Sequence, residues 1–259
     1  MTPLAFRPVA TRRAFEEITA QIRDQLARQA LKTGDRLPPE RDLADQFGVS
    51  RNTLREALRS LEIAGLLQLK KGATGGAFIR EGGGDAVVAG LSDLYRLGNI
   101  RPEHLTEARI LIGTEVARLA CARRTVADLK ALEANVAEAE AATKAGDLGR
   151  RAEIHYEFHS LLARAAKNPV LTILTDALME MTRHFVEAIG YQPNPYVMPS
   201  RKRLLTALHA KDGEAAAKEM ASMLKRLQRF HLALFEARSK EKAKLAVRSK
   251  ASGSSTSRP

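Results

Sequence analysis

The chain has 259 residues, 44% of them hydrophobic and 28% charged, ordinary values for a globular protein with room for two cores. No apolar run approaches the ~18 residues of a membrane span, and the opening MTPLAFRPVATRR lacks the apolar centre of a secretory leader. The expected location is therefore cytoplasmic, with no membrane partner. The formal net charge of +12 is unevenly spread: residues 1–80 carry five net positive charges, 81–237 one, and 238–259 six. A basic segment next to a neutral one suggests a polyanionic partner for the basic one.

Residues 12–31 fit one amphipathic helix, with Phe15, Ile18, Ile22 and Leu26 on a single stripe. Gly34-Asp35 is a turn, and Pro39 suits the first turn of a helix over 40–46, where its missing N–H costs nothing. That helix buries Leu43, Ala44 and Phe47, Gly48 ends it and Val49 plugs the turn. Ser50 is a good N-cap for a third helix over 51–64. At ~100° per residue, Arg51, Arg55, Arg59 and Asn52 share one face, and Leu54, Ala57, Leu58 and Leu61 lie opposite. Arginine pairs bidentately with guanine or phosphate, and asparagine reads adenine. A short helix, a tight turn and a second helix with that face is the helix-turn-helix arrangement; a merely solvated basic face is the competing reading.

After Gly65 the pattern alternates: residues 66–71, a glycine-rich turn and residues 77–80 read as a β-hairpin of wing type, with Lys70 and Lys71 at its base near a phosphate backbone. The glycines do not form a nucleotide loop, because GxxxxGK[ST] and its βαβ setting are absent. Residues 80–85, REGGGD, mark the domain boundary. The expected division is a winged helix-turn-helix over 10–80, an all-helical domain over 85–238, and a disordered basic tail over 239–259. The fold class is mostly α. Breakers divide the second domain into six or seven helices, and their short connections imply an antiparallel bundle. Cys121, the single cysteine, lies in an Ala/Leu/Val-rich run and is expected as a buried, inert thiol. The histidines at 104, 155, 159, 184, 209 and 231 form no recognised catalytic arrangement, so an enzyme is not expected.

The stretch from Gly34 to Ala44, then Gly48 to Leu58, then Leu61 to Gly65, resembles the GntR-type DNA-binding domain nearly position for position. The resemblance implies that Arg41, Arg51 and Arg55 contact DNA, with Ser50, Asn52 and Thr53 at neighbouring contact positions. The wing glycines Gly75 and Gly76 would approach the minor groove. Arg59, from the helix wheel, and Lys71, at the wing base, complete the expected interface. The target is palindromic operator DNA read by a homodimer; repression is the default expectation.

Residues 85–235 more loosely resemble the helical effector-binding domain of the FadR branch, carried by Glu107 to Ile112, Val116 to Ala120, Phe158 to Leu162, Ala166 to Pro169 and Leu204 to Leu208. That branch senses small organic acids or related metabolites. Arg109 falls where relatives turn an arginine into the effector pocket; a salt bridge to Glu107 or Glu115 is the alternative. The acidic residue that usually follows four positions later is Gly113 here, which implies an altered pocket floor. Many relatives hold a divalent ion with one Asp and three His. Here the resemblance puts His155, His159, Arg201 and Met223 at those four places. Arginine cannot deprotonate to bind a cation, and methionine is a poor ligand for zinc or manganese. No metal is therefore expected, and Arg201 becomes an anchor for an anionic effector, with His155, His159 and Arg109. Two alternatives remain: Arg201 as a surface residue ahead of a helix, or zinc held by His155 and His159 with His184 or His209.

Overall fold

The structure, a computed structural model, describes residues 11–72, 75–80 and 84–253. Ala73 and Thr74 of the expected wing turn, Glu81 to Gly83 of the expected boundary, residue 10 and the tail residues 254–259 lie outside the described residues. Ten helices and one two-stranded antiparallel hairpin make up the described chain. It divides into two compact units, one ending at Ala86 and one beginning at Val87.

The first unit holds α1 (Thr11–Ala27), α2 (Glu40–Phe47), α3 (Arg51–Ile63), β1 (Leu67–Lys70) and β2 (Gly76–Ile79). Its core is the stripe read from the sequence: Ile18 and Ile22 from α1, Leu43 and Ala44 from α2, Leu54, Ala57, Leu58 and Leu61 from α3, closed by Leu67 and Ile79. Gly48 takes the left-handed conformation, φ 64°, and returns its N–H to the end of α2. Ser50 then caps α3 by accepting from the Thr53 N–H at 3.1 Å. The hairpin registers Leu67 on Ile79 and Lys70 on Gly76. Residues 34–37 run along its other edge, where the Leu37 N–H donates to the Ala77 carbonyl at 2.8 Å. The first helix is shorter than expected, because the chain turns at Gln29, φ 57°, to bring Leu31 back against the core.

The second unit is a bundle of seven helices among the described residues: α4 (Asp85–Arg96), α5 (Pro102–Arg123), α6 (Val126–Lys144), α7 (Leu148–Ala165), α8 (Pro169–Ile189), α9 (Val197–Ala210) and α10 (Gly213–Gly253). Val116, Ala117 and Ala120 of α5 share one core with Ala216, Met220 and Leu224 of α10. Gly113 lets these helices approach, since a Cβ there would lie 2.8 Å from Leu224 Cδ1. Caps match the breakers: Thr125 and Asp128 form a reciprocal capping box on α6, Asp147 caps α7, and Asn168 caps α8 ahead of Pro169. Cys121 is fully buried, with Sγ 3.4 Å from the Ala207 carbonyl.

The end of order expected at Ser239 is corrected: α10 continues to Gly253. Residues 239–250 are rich in Lys, Ala, Leu, Arg and Glu, all strong helix formers. Extending an existing helix also needs no new nucleus, so the loss of an apolar stripe does not end it.

The α6 capping box also carries an ion pair. Burial alone would raise the Asp128 carboxyl, but Lys167 at 2.7 Å and the Thr125 N–H and hydroxyl outweigh it and hold the group at about 2. A carboxylate depressed in the fold stabilises it above its unfolded value, and that contribution disappears as pH falls from about 4 towards 2. Asp128→Asn is expected to cost about 1–2 kcal/mol at pH 7, allowing for the solvent around Lys167, and almost nothing at pH 2. Urea unfolding of both proteins across that range checks it: an equal difference at both ends contradicts the assignment.

Candidate nucleic-acid interface and effector cavity

In the first unit Arg51, Asn52, Arg55 and Arg59 are exposed on α3, as are Arg41 at the start of α2 and Lys71 at the wing. Ser50 and Thr53 share a hydroxyl contact of 2.9 Å at the α3 N-terminus, so the cap also orders the positions that would meet phosphate. Arg55 is not free: its Nη2 donates to Glu40 Oε2 at 2.9 Å, tying α3 to α2. The wing glycines have an internal reason to be glycine. A Cβ on Gly75 would lie 2.3 Å from the Lys70 carbonyl oxygen, and one on Gly76, φ 143°, would lie 2.9 Å from Arg36 Nε. Arg36 donates to the Gly75 carbonyl, and Arg36 and Lys70 both lie over the Phe78 ring, 5.7 and 4.8 Å from its centroid. Compact backbone at the base of the wing keeps these cations beside the hairpin.

The second unit encloses a cavity of about 80 Å³. One face of α7 supplies Arg151, His155, Tyr156 and His159, spaced by helical turns. Arg109 enters from α5, Arg201 from α9, and Met223 and His231 from α10, while Gly190, Tyr191, Gln192 and Asn194 form a loop wall. The four residues aligned with a metal set, His155, His159, Arg201 and Met223, thus line one cavity. His184 and His209 do not; they pair with Glu180 and Glu133 respectively. Gly113 lines a separate small void beside Arg109 and His159.

Arg201 is 1% exposed, which removes the surface reading. Its Nη1 donates to Asn135 Oδ1 at 3.2 Å and its Nη2 to the His155 carbonyl at 3.0 Å, and its guanidinium lies 3.9 Å from the Phe158 ring centroid. Its Nε has no acceptor. Arg109, 7% exposed, has no hydrogen-bond or ion-pair partner among the described residues; Glu115 pairs with Arg118 instead. Arg151 donates only to the Gln192 carbonyl, at 2.8 Å. Burial lowers Arg109 to about 10 and Arg201 to about 9, so both stay cationic at neutral pH. Burial, reinforced by these arginines, pushes His155 down to about 2, His231 to about 4, and His159 well below its ordinary value. The imidazoles are neutral, and no Asp or Glu among the described residues lines the cavity. Its charge is three uncompensated guanidiniums.

A divalent ion does not fit that set. No group of three or more His, Cys, Asp or Glu side chains suited to a metal occurs among the described residues. Two of the four aligned places hold a fixed cation and a thioether. Sequence reasoning missed Arg151 and His231. Arg151 was within reach, four residues before His155 on the same helix face. His231 was not, since nothing local marks which face of so long a helix closes the cavity.

An exposed basic helix beside a glycine-tight hairpin is the arrangement of a winged helix-turn-helix, and a helical bundle with an arginine-lined cavity follows it in the same chain. A profile described as "Bacterial regulatory proteins, gntR family" matches residues 14–79, and one described as "FCD domain" matches residues 104–226. The chain is 33% identical over 177 residues to the "Uncharacterized HTH-type transcriptional regulator Rv0494" of Mycobacterium tuberculosis, covering 65% of this chain and 68% of that one. It is 28% identical over 218 residues to the "Galactonate operon transcriptional repressor" of Escherichia coli, covering 81% and 93%. Other curated relatives, at 30% and 35% identity, are matched over 63% of their own length. The solved structure of Streptococcus agalactiae GntR shares the fold, with a TM-score of 0.61 at 24% identity over 83% of this chain and 99% of that one. The chain belongs to the gntR family of bacterial regulatory proteins and carries an FCD domain. Its relatives are regulators of transcription, not enzymes.

Two substitutions separate contact from scaffold in the first unit. Arg51→Ala is expected to weaken specific DNA binding by ~1–3 kcal/mol while leaving the fold intact. Gly75→Ala forces the backbone at Lys70 to move and is expected to lower the melting midpoint of the protein as well as its affinity. Circular dichroism melts beside fluorescence anisotropy on DNA check both; wild-type affinity for Arg51→Ala would put the wrong face in the groove.

Proposed function

We propose that this protein is an effector-controlled repressor that binds palindromic operator DNA as a homodimer in the cytoplasm, and that a small organic anion in the bundle cavity controls its release. The observation that carries this reading is the cavity's unbalanced charge. Buried arginines are rarely left without an acceptor, because a desolvated charge without a partner costs several kcal/mol. A carboxylate supplied from outside is the missing partner. The galactonate-operon relative, named as a repressor of genes for a sugar acid, supports both the sign of regulation and an acidic effector. The dimer follows from matching protein symmetry to operator symmetry. No described helix is long and apolar enough to cross a membrane, which accords with this reading.

The protein is allowed to select duplexes from a random-sequence pool, and the selected duplex is then titrated against small organic acids. An inverted repeat bound by two chains, and released by an acid at millimolar concentration, is the expected result. Arg109→Met is expected to bind the duplex with wild-type affinity and to have lost the acid response. An enriched sequence that no acid releases would sink effector control; no enriched sequence would sink operator recognition.

A further inference from the structure

The charge count and the size of the cavity together narrow its ligand beyond an organic anion. Three guanidiniums reach the cavity from three different helices, α5, α7 and α9. Arg109 has no protein partner among the described residues; Arg201 and Arg151 are held only by neutral acceptors and keep Nε unsatisfied. One carboxylate carries one charge and at most a bidentate grip on one guanidinium. It would leave two of the three buried cations without a counter-charge, whereas a dianion leaves one. The cavity's other unsatisfied polar atoms, His155 Nδ1, His231 Nδ1, Tyr156 Oη and Asn194 Nδ2, come from neutral groups that orient a ligand without adding charge. At ~10–15 Å³ of such space per water-sized group, 80 Å³ holds about five to eight such groups, room for a dicarboxylate of three or four carbons.

We infer that the cavity takes a short, doubly charged organic acid directly on its guanidiniums, with Arg201 standing as a built-in cation where the fold family implies a divalent ion. This rests on the effector reading above and deepens it. Arg201 suits the role because it is already anchored: Asn135, the His155 carbonyl and the Phe158 ring fix its plane before any ligand arrives. Its place next to His155 and His159 is also what disqualifies a metal there, since its fixed charge repels a second cation at contact range. Arg109 is the complementary half, a guanidinium without a protein partner among the described residues and so open to the ligand.

The test uses the full chain, purified without chelator or His-tag, in melting and calorimetric titrations. Malonate, succinate and glutarate are compared with the monoacids propionate, butyrate and valerate, each with and without EDTA. At least one diacid is expected to raise the melting midpoint with unit stoichiometry and to bind at least tenfold more tightly than its matched monoacid, equally with EDTA. Arg109→Met is expected to weaken that diacid at least tenfold without lowering the midpoint of the ligand-free protein, because it removes a charge that had no partner. Loss of the diacid's effect in EDTA, stoichiometric zinc, nickel or manganese in the purified protein, or equal binding of monoacid and diacid overturns the inference and leaves effector control standing. Binding of none of the six acids also overturns it. Effector control itself then falls only if the selected duplex is released by no acid at all.

Discussion

The helical unit is organised around a charge it does not neutralise. Three arginines reach one small space inside an otherwise apolar bundle, and the chain supplies amide, carbonyl and aromatic neighbours but no carboxylate among the described residues. The bundle has carboxylates to pair with arginines: Glu138, Glu153 and Glu219 hold Arg150, Arg183 and Arg203. Those pairs lie on the outside. Inside, three guanidiniums bear a desolvation cost that a bound anion would offset. A ligand that supplies the missing charge stabilises the occupied form against the unfolded chain and against any arrangement in which the three cations separate.

How the bundle tolerates this follows from its packing. The α5 and α10 pair is built of small and flexible side chains, with Gly113 permitting Leu224 to approach, and the core they share reaches the cavity through Val197, Met223 and Leu227. A second cluster around Leu105, Met181, Phe185 and Ile189 contains Tyr156, which also lines the cavity. Both apolar clusters therefore pack directly against the space that holds the arginines.

Much of this was legible in the sequence, for reasons that differ along the chain. The first unit is local: its helices, turn, cap and hairpin are set by Gly48, Ser50 and period-specific apolar stripes, so short-range rules reach the right elements. Arg109, His155, His159 and Arg201 were singled out through resemblance, and the structure brings all four to one cavity. Arg201 also shows the limit of local rules, because resemblance alone separated it from its neighbours. In the run Arg201-Lys202-Arg203 all three residues look like surface, yet Lys202 pairs with Glu140, Arg203 with Glu219, and only Arg201 falls on the inner line of Val197 and Leu204. Which of three adjacent cations turns inward depends on the phase of α9 against its neighbours, a tertiary fact. The tail failed for the opposite reason: its composition was read for packing, whereas its helix continues on propensity alone.

The Arg55–Glu40 pair changes how the DNA-facing charge should be counted. Docking a free arginine on phosphate releases a condensed counterion and steepens the salt dependence of binding. Arg55 instead already holds a carboxylate, so were it to meet DNA it would exchange one acceptor for another and leave Glu40 nearby as a negative charge. Such a residue adds less than a full unit to the salt slope. It also disfavours contacts poorer than the one it holds: an isolated phosphate oxygen offers Arg55 little that Glu40 does not, whereas a guanine edge offers two acceptors in the plane of the guanidinium. Both side chains are largely exposed, so the pair is worth ~1 kcal/mol or less; on a DNA contact by Arg55 it would act as a small threshold, subtracting more from attraction to DNA in general than from contact with a matching base step.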